Sequence, residues 1–383
     1  MLINDVVFVG IGQGGGNIVK ELELLDAKSF YINTSIEDLD TINADYSNRY
    51  HIEGKNGMGK DLDYSKEIIS DENVIDDINR KLYNRYANAK LFVFVYTLGG
   101  GTGGGMGTTI ANSFGEYISG EGKISNVIGV RADDSEDIGI LGNSIRSLQE
   151  LIDVFEDKEG NGCYINNIQI LDNNTREKLS EVNKDFAITI SRLLTYDHIT
   201  TQGNFDENEV FSVVTARGFT TMVEFSNENF EEGLKEAINK TVYVKPNKNP
   251  SLHGWVLCNK HDTKSNRELI KEVFGVPAYT HHSTWEDETN IIVSSGSTFN
   301  YDILNEMKLA FNCLVEKKRE IEQKSLRSSK DETIDVDFSI LNKSKSNNAK
   351  DNTKPAVRSR ANNNASRRRR TASIIDKYRN IGK

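Results

Sequence analysis

Short apolar runs alternate with helical patterns over roughly the first 170 residues of the chain. The run LFVFVY at 91–96 is apolar at every position, as expected for a parallel strand covered on both faces. Apolar residues spaced by three and four indicate helices at 17–25, 106–117 and 142–155. The strand patterns lie at 5–10, 29–33, 91–96, 124–130 and 164–171. Because strand and helix alternate, the pattern predicts an α/β fold with a doubly wound parallel sheet.

A long helical pattern at 175–194 leads into a second segment with a different order of elements. Helices are predicted there at 230–239 and 265–274, and a terminal helix over 301–324. The strand patterns of this segment lie at 210–215, 219–225, 254–259, 276–281 and 290–294. Together they predict a second, smaller α/β domain.

These patterns divide the chain into five predicted parts. The last part is rich in Ser, Asn and Lys and poor in apolar residues, so it is predicted to be disordered. The predicted boundaries are 1–174 for the first domain, 175–203 for the central helix and connecting loop, 204–300 for the second domain, 301–326 for the C-terminal helix and 327–383 for the tail.

Charge is distributed unevenly along the 383 residues. Residues 341–383 carry 13 Lys and Arg against two Asp and Glu, a net charge of +11. The whole chain has a net charge of −10, so the remainder carries −21. An acidic body with a basic tail is typical of a protein whose tail binds an anionic partner, although a basic tail can also be simply solvated.

Other features set limits on compartment and metal content. No run of about 18 apolar residues is present, which argues against a membrane-spanning helix. Three distant cysteines suit neither a zinc site nor a disulfide framework, and indicate the reducing cytoplasm. His281 and His282 are followed by acidic residues, but their spacing does not fit a metal site.

Two glycine clusters follow two of the predicted strands. GIGQGGG at 10–16 comes after the first strand, and GGGTGGG at 99–105 comes after the strand at 91–96. Without side chains, backbone N–H groups can reach phosphate oxygens, and a helix N-terminus adds partial positive charge. One such turn is a weak signal, but two at the carboxyl edge of one sheet predict a phosphate-binding site.

Two common phosphate-binding classes do not fit. A dinucleotide fold requires Asp or Glu at the end of the second strand, where this chain has Asn33 and Thr34. The segment 54–61 has the spacing of a Walker loop, but Asp61 stands where Ser or Thr must bind magnesium. We therefore expect 54–61 to be a loop that can still contact phosphate.

The two glycine clusters together resemble the tubulin/FtsZ superfamily, and the resemblance extends over roughly residues 1–325. It implies that the first domain binds GTP or GDP with Mg²⁺. It also implies that guanine is read from the central helix by Asn183, or by Asp185 if the register differs, and that Asn173 contacts the sugar or base. The other residues that match nucleotide-binding loops of the family are Gly12, Gln13, Gly14, Asn17, Asn33, Thr34, Gly99, Gly100, Gly101, Thr102, Gly103, Gly104 and Gly105.

The segment NFDENEV at 204–210 resembles the hydrolysis loop of the same family. In that family the loop reaches the GTP of the next subunit, so the resemblance implies a head-to-tail filament. It assigns Asp206 and Glu209 to the attacking water and Asn204 to orienting it, which makes the second domain the GTPase-activating one. A carboxylate near the terminal phosphate can polarise water. From the residues alone, a solvated loop or a helix cap remains the alternative.

The basic tail and the sequence RADD at 131–134 depart from FtsZ, and the divergent body with its basic tail is most similar to the TubZ branch of the superfamily. That branch moves plasmid and phage DNA in the bacterial cytoplasm, through a TubR adaptor on a centromere-like site. The resemblance implies that the tail binds such an adaptor, or DNA directly through phosphates. An FtsZ-like role in division and a scaffold with little hydrolysis remain alternatives. The tail residues concerned are Arg367, Arg368, Arg369, Arg370, Lys377 and Arg379.

Overall fold

The computed structural model describes residues 2–53, 56–195, 206–226, 229–245, 253–257, 263–283 and 289–331. Asn204 and the tail residues from Arg367 to Arg379 lie outside the described residues, so their predicted roles stay predictions. The chain divides into two compact units, Met1–Gln323 and Lys324–Lys383. Of the second unit, the described residues are the end of one long helix.

Ten described strands form one continuous sheet in the order β3-β2-β1-β4-β5-β6-β7-β10-β8-β9. Pairing is parallel throughout, except that β10 runs antiparallel to both β7 and β8. The strands of the two predicted domains therefore join through the parallel pair β6–β7. The strands are β1 Val6–Ile11, β2 Lys28–Asn33, β3 Arg49–His51, β4 Leu91–Thr97, β5 Ile124–Arg131, β6 Ile165–Asp172, β7 Gly218–Phe225, β8 His253–Leu257, β9 Tyr279–Ser283 and β10 Asn290–Ser297.

Eleven described helices cover this sheet. They are α1 Gly12–Glu23, α2 Ile36–Ile42, α3 Leu62–Ile69, α4 Glu72–Arg85, α5 Gly101–Ile118, α6 Ile138–Phe155, α7 Leu179–Thr195, α8 Glu207–Val214, α9 Phe230–Lys240, α10 Lys264–Phe274 and α11 Asp302–Asp331. No described helix combines the length and the apolar composition that crossing a membrane requires.

The core forms on both faces of the sheet because side chains alternate along each strand. In β4, Val93 and Val95 pack with α1 and α7 on one face, whereas Phe92, Phe94 and Tyr96 pack with α5, α6 and α11 on the other. A smaller apolar cluster lies between α9, α10 and the strands β7 and β10. The doubly wound sheet predicted from the sequence is confirmed.

The predicted strand at 210–215 is wrong, because residues 210–214 belong to helix α8 and Thr215 is its C-cap. Its buried residues Val210, Val213 and Val214 are spaced by three and four, which is helical and not alternating spacing. Asp206 and Glu209 also form a capping box at its start, a helix signal that the β-branched composition obscured.

The helices at the two glycine clusters begin earlier than expected. α1 begins at Gly12 and α5 at Gly101, whereas the spacing of apolar residues predicted starts at 17 and 106. Glycine is a poor helix former, so a pattern based on apolar residues does not detect a first turn made of glycine. The glycine clusters are therefore mostly helix N-termini and not open turns.

Candidate functional site

The N-termini of α1 and α5 meet at the carboxyl edge of the sheet. Each helix directly follows one of the neighbouring parallel strands β1 and β4. A Cβ added to Gly12, where φ is +71°, would lie 3.1 Å from the Gly103 nitrogen. Neither helix has a side-chain cap or an acidic residue in its first turn. Two adjacent positive helix ends with uncapped N–H groups favour an anionic ligand.

The glycines of both clusters also allow close packing. A Cβ on Gly15 would lie 2.1 Å from the Val95 carbonyl oxygen, and one on Gly104 would lie 2.3 Å from the carbonyl oxygen of Leu98. A Cβ on Gly105 would lie 2.4 Å from that of Ser65. Glycine is thus required at these positions whether or not a phosphate binds, because the helices press directly onto β4 and α3.

Hydrogen bonds from three directions hold the first turns of α5. The Thr34 and Thr102 hydroxyl oxygens lie 2.8 Å apart across the site. Ser65 Oγ donates to the Gly101 carbonyl and Ser147 Oγ donates to the Gly104 carbonyl, both at 2.9 Å. All of these groups are buried, so the bonds form in a region of low dielectric and fix the helix start firmly.

Tyr96 of β4 packs against helix α5 and forms a hydrogen bond with it. Its hydroxyl lies 2.9 Å from Thr108 Oγ1 of α5, and a Cβ on Gly107 would lie 2.6 Å from its ring. Burial raises the pKa of the Tyr96 phenol well above its usual value, so the group stays neutral. It therefore acts as a packed, hydrogen-bonded support and not as an acid or base.

Asn33 has a local role that the sequence did not reveal. Its Oδ1 accepts the N–H of Thr34 at 2.8 Å and of Ser35 at 3.2 Å, and its Nδ2 donates to Asp38 at 3.3 Å. The side chain is almost completely buried. These bonds shape the loop after β2 and present Thr34 to Thr102. A direct contact between Asn33 and nucleotide stays a prediction.

The loop that carries the incomplete Walker spacing packs against the N-terminus of α5. A Cβ on Gly101 would lie 2.8 Å from Met58 Cβ and 3.0 Å from Lys60 Cα. Asn143 Nδ2 anchors the loop by donating to the Lys60 carbonyl at 2.8 Å. Lys60 is exposed, and its amine lies 4.0 Å from Asp137. The structure thus places the basic side chain of this loop beside the glycine clusters, so the loop lies where the sequence analysis expected that it could contact phosphate.

The residues predicted to contact sugar and base lie on β6, its following turn and α7. Asn173 begins a short 3₁₀ turn directly after β6 and is buried. Asp185 is paired with Arg176, with 2.7 Å between Oδ2 and Nε. Asn183 is half-buried. It lies two residues before Asp185 on α7, so the two side chains are about 200° apart around the helix axis. The two candidate guanine readers therefore face different sides of the helix, and Asp185 is engaged within the chain.

Arg131 is a site-edge residue that sequence reasoning missed. It ends β5, is 2% exposed, and lies 2.6 Å from Asp134 and 3.4 Å from Asp172. A guanidinium can satisfy several carboxylates at once because its donors spread in a plane. Arg131 thus ties the loop after β5 to the turn that carries Asn173. The departure of RADD from the FtsZ sequence was the available signal.

Asp206 and Glu209 form the start of α8. Asp206 Oδ1 accepts the Glu209 N–H at 2.8 Å, and Glu209 Oε2 accepts the Asp206 N–H at 3.0 Å. The helix cap weighed as an alternative from the sequence is therefore present. Asp206 is exposed and Glu209 is partly buried, and Glu209 Oε1 also lies 3.2 Å from His281 Nδ1.

Helix α8 lies at the opposite edge of the sheet from the glycine clusters. It packs against Leu2–Asp5, the turn that precedes β1, whereas Gly12 follows the end of β1. Asn126, near the start of β5, donates to the Val214 carbonyl at the end of α8. Since β1 has six residues, it separates the two groups by about 20 Å. The structure therefore does not bring Asp206 and Glu209 together with the glycine clusters of the same chain.

The glycine clusters lie within a segment that matches a known protein family. The model described as "Tubulin/FtsZ family, GTPase domain" matches residues 5–157. The tubulin-like protein TubZ of Clostridium botulinum C phage is 27% identical over 329 residues, covering 84% of this chain and 87% of that protein.

Solved structures extend the likeness beyond the matched domain. C-terminally truncated TubZ of C. botulinum phage c-st has a TM-score of 0.72 at 25% identity, covering 83% of this chain and 100% of that one. A GTPγS-form protofilament of TubZ from Bacillus thuringiensis serovar israelensis shares the fold, with a TM-score of 0.68 at 14% identity and coverage of 83% and 94%. Residues 5–157 are therefore a GTPase domain of the tubulin/FtsZ family, and the described part of the chain has the TubZ fold.

Proposed function

We propose that this protein is a GTPase that assembles head to tail and hydrolyses GTP at each contact between subunits. The observation that carries the proposal is the separation of the two groups by the length of β1. The glycine clusters lie at the carboxyl edge of the sheet, whereas Asp206 and Glu209 lie at the amino edge. Stacking copies along the strand direction brings the amino edge of one against the carboxyl edge of the next. Such a contact uses two different surfaces, so it repeats into a filament.

The nucleotide half of the site is formed by the carboxyl edge. The paired N-termini of α1 and α5 offer N–H groups and positive dipole ends to the phosphates. Mg²⁺ would supply charge neutralisation between phosphate oxygens. The described residues include no group of three His, Cys, Asp or Glu that could hold a metal, so the ion is expected to enter with the triphosphate. The residues proposed here are Gly12, Gln13, Gly14, Asn17, Asn33, Thr34, Gly99, Gly100, Gly101, Thr102, Gly103, Gly104 and Gly105.

Base recognition is assigned to Asn183, with Asn173 at the sugar or base. α7 packs along α1, whose first turn begins the phosphate site, so a base could lie between them. An amide can donate and accept, which matches the edge of guanine. Asp185 is the weaker candidate because its carboxylate is paired with Arg176 on the other side of α7.

The hydrolytic half is supplied by α8 of the next copy. An exposed carboxylate there can orient or polarise the water that attacks the terminal phosphate. Asp206 and Glu209 are the proposed carboxylates, and Asn204, outside the described residues, is the proposed orienting partner. Asp206 is exposed at the start of α8, so it is accessible to a neighbouring molecule.

The biological role we propose is segregation of plasmid or phage DNA in the bacterial cytoplasm. Two observations support it: the similarity to a phage TubZ and the net charge of +11 on residues 341–383. The tail would bind a TubR-like adaptor on a centromere-like DNA site, through Arg367, Arg368, Arg369, Arg370, Lys377 and Arg379. Removing 341–383 should leave GTP-dependent filaments intact and abolish their binding to adaptor-loaded DNA. Unchanged binding would refute the role of the tail.

Phosphate release measured against protein concentration tests the enzymatic proposal. Isolated subunits lack the second half of the site, so turnover per subunit should rise steeply with concentration and then level off as filaments form. Pelleting of the same samples should show filaments over the same concentration range. Turnover per subunit that stays constant down to the most dilute samples would contradict hydrolysis at subunit contacts.

A further inference from the structure

We infer that His281 is a positioning residue for GTP hydrolysis, which fixes the Glu209 carboxylate and through it Asp206. The inference rests on the proposed function of α8, and it adds a residue that lies 72 positions away in the sequence. The contact joins His281 Nδ1 and Glu209 Oε1 at 3.2 Å.

The two carboxylates of α8 are used differently. Glu209 has both oxygens engaged, Oε2 by the N–H of Asp206 at 3.0 Å and Oε1 by His281. Asp206 uses Oδ1 to accept the Glu209 N–H at 2.8 Å. Its second oxygen, Oδ2, is therefore the carboxylate oxygen of this pair that can reach a water on a neighbouring molecule. Glu209 holds Asp206 in place, and His281 holds Glu209.

The support from His281 is firm because of where the residue lies. His281 belongs to β9, which pairs in parallel with β8, and β8 in turn pairs with β10. Its side chain is 17% exposed, whereas that of Glu209 is 37% exposed. A half-buried imidazole on a strand has few accessible rotamers, so it limits the motion of the more exposed glutamate. For the contact to be a hydrogen bond, Nδ1 must carry the proton.

Loss of this contact should lower the rate of the chemical step and spare nucleotide binding. Glu209 without its partner can rotate away, and the capping box that orients Asp206 is then weakened. In the proposed function the nucleotide is held by α1 and α5, whose N-termini lie at the opposite edge of the sheet from α8. We therefore expect His281→Ala to lower kcat about tenfold with KM for GTP unchanged, as for an interaction that matters only in the transition state.

Isosteric substitutions separate positioning from packing. The amide nitrogen of His281→Asn can occupy the place of Nδ1, whereas that of His281→Gln lies nearer the place of Nε2. We expect His281→Asn to keep most of the activity, and His281→Gln to be as slow as His281→Ala. His282→Ala is the matched control, because the next residue of a strand points to the opposite face.

The decisive experiment compares GTP turnover of filaments of the full-length chain carrying His281→Ala, Glu209→Ala or both. If His281 acts through Glu209, the double variant should be no slower than Glu209→Ala alone. Additive losses would overturn the inference, as would equal losses in His281→Asn and His281→Ala. If His281→Ala turns over GTP normally while Asp206→Asn is inactive, the role of His281 is refuted and the proposed function stands. An active Asp206→Asn would instead refute the proposed function.

Discussion

The nucleotide half and the hydrolytic half of the proposed site are built in opposite ways. The residues of α5 from Gly101 to Gly105 are buried and are held by Thr34, Ser65 and Ser147. Asp206 is exposed and Glu209 is only partly buried, and the two are fixed mainly by each other and by His281. A binding site can be complete within one subunit, whereas a group that must act on a neighbour has to face outward. From this contrast we expect nucleotide binding to precede assembly, and hydrolysis to depend on assembly.

The largest effect is expected from Asp206→Asn, which tests the hydrolytic half. Asparagine is as good an N-cap as aspartate, so α8 should keep its cap while the charge is lost. GTP hydrolysis should fall by about 100- to 1,000-fold, the usual contribution of such a catalytic group, with GTP binding unchanged. Filaments of this variant should persist long after wild-type filaments have disassembled.

The control for that prediction is the thermal unfolding midpoint, which should stay close to that of the wild type. Normal hydrolysis in Asp206→Asn would show that the residue is only a helix cap. That outcome would support the helix cap, the alternative that the sequence left open, and would leave Asp206 without a part in hydrolysis.

A smaller effect is expected from Asn183→Ala, which tests the nucleotide half. Removal of the base contact should weaken GTP binding about tenfold, equivalent to roughly 1.4 kcal/mol. Discrimination against ATP should fall by a similar factor. Asp185→Asn is the matched control, because it loses only the pairing with Arg176. The opposite result, with Asp185 essential and Asn183 dispensable, would assign guanine to Asp185.

The smallest effect concerns Lys60, whose loop packs on Gly101. We expect Lys60→Ala to weaken GTPγS binding about threefold and leave GDP binding unchanged, because an exposed amine is screened by solvent. Lys66→Ala is the control, since this lysine on α3 is paired with Glu150 at 2.5 Å. Equal losses for GTPγS and GDP would place Lys60 away from the terminal phosphate.

The sequence predicted most of the nucleotide half because its signals are local. Each glycine cluster follows its strand directly, so a few neighbouring residues show both the strand and the phosphate loop. Asn33 and Thr34 excluded a dinucleotide for the same reason. The contact between Thr34 and Thr102 spans 68 residues and could not be predicted from spacing.

The hydrolytic half was predicted less completely because its structure depends on distant contacts. The valines of α8 favour strand by composition, and only burial shows their helical spacing. Neither the Glu209–His281 contact nor the position of α8 beside Leu2–Asp5 has a local signal. Arg131 was visible only as a departure from a known sequence, without its partners.

Mixing two inactive variants shows whether one hydrolytic site is divided between two molecules. Gly12→Ala places a methyl group 3.1 Å from the Gly103 nitrogen and should block phosphate binding, at a backbone cost of about 1–2 kcal/mol. It keeps Asp206, whereas Asp206→Asn keeps the nucleotide half.

In the mixture, a Gly12→Ala subunit can place its intact α8 against the nucleotide bound to an Asp206→Asn subunit. That contact contains an intact nucleotide half and an intact hydrolytic half. Phosphate release from an equimolar mixture should therefore rise well above the sum of the two separate variants. A mixture that stays as inactive as its components at every ratio, while both proteins remain folded, would show that the site is not divided between two molecules.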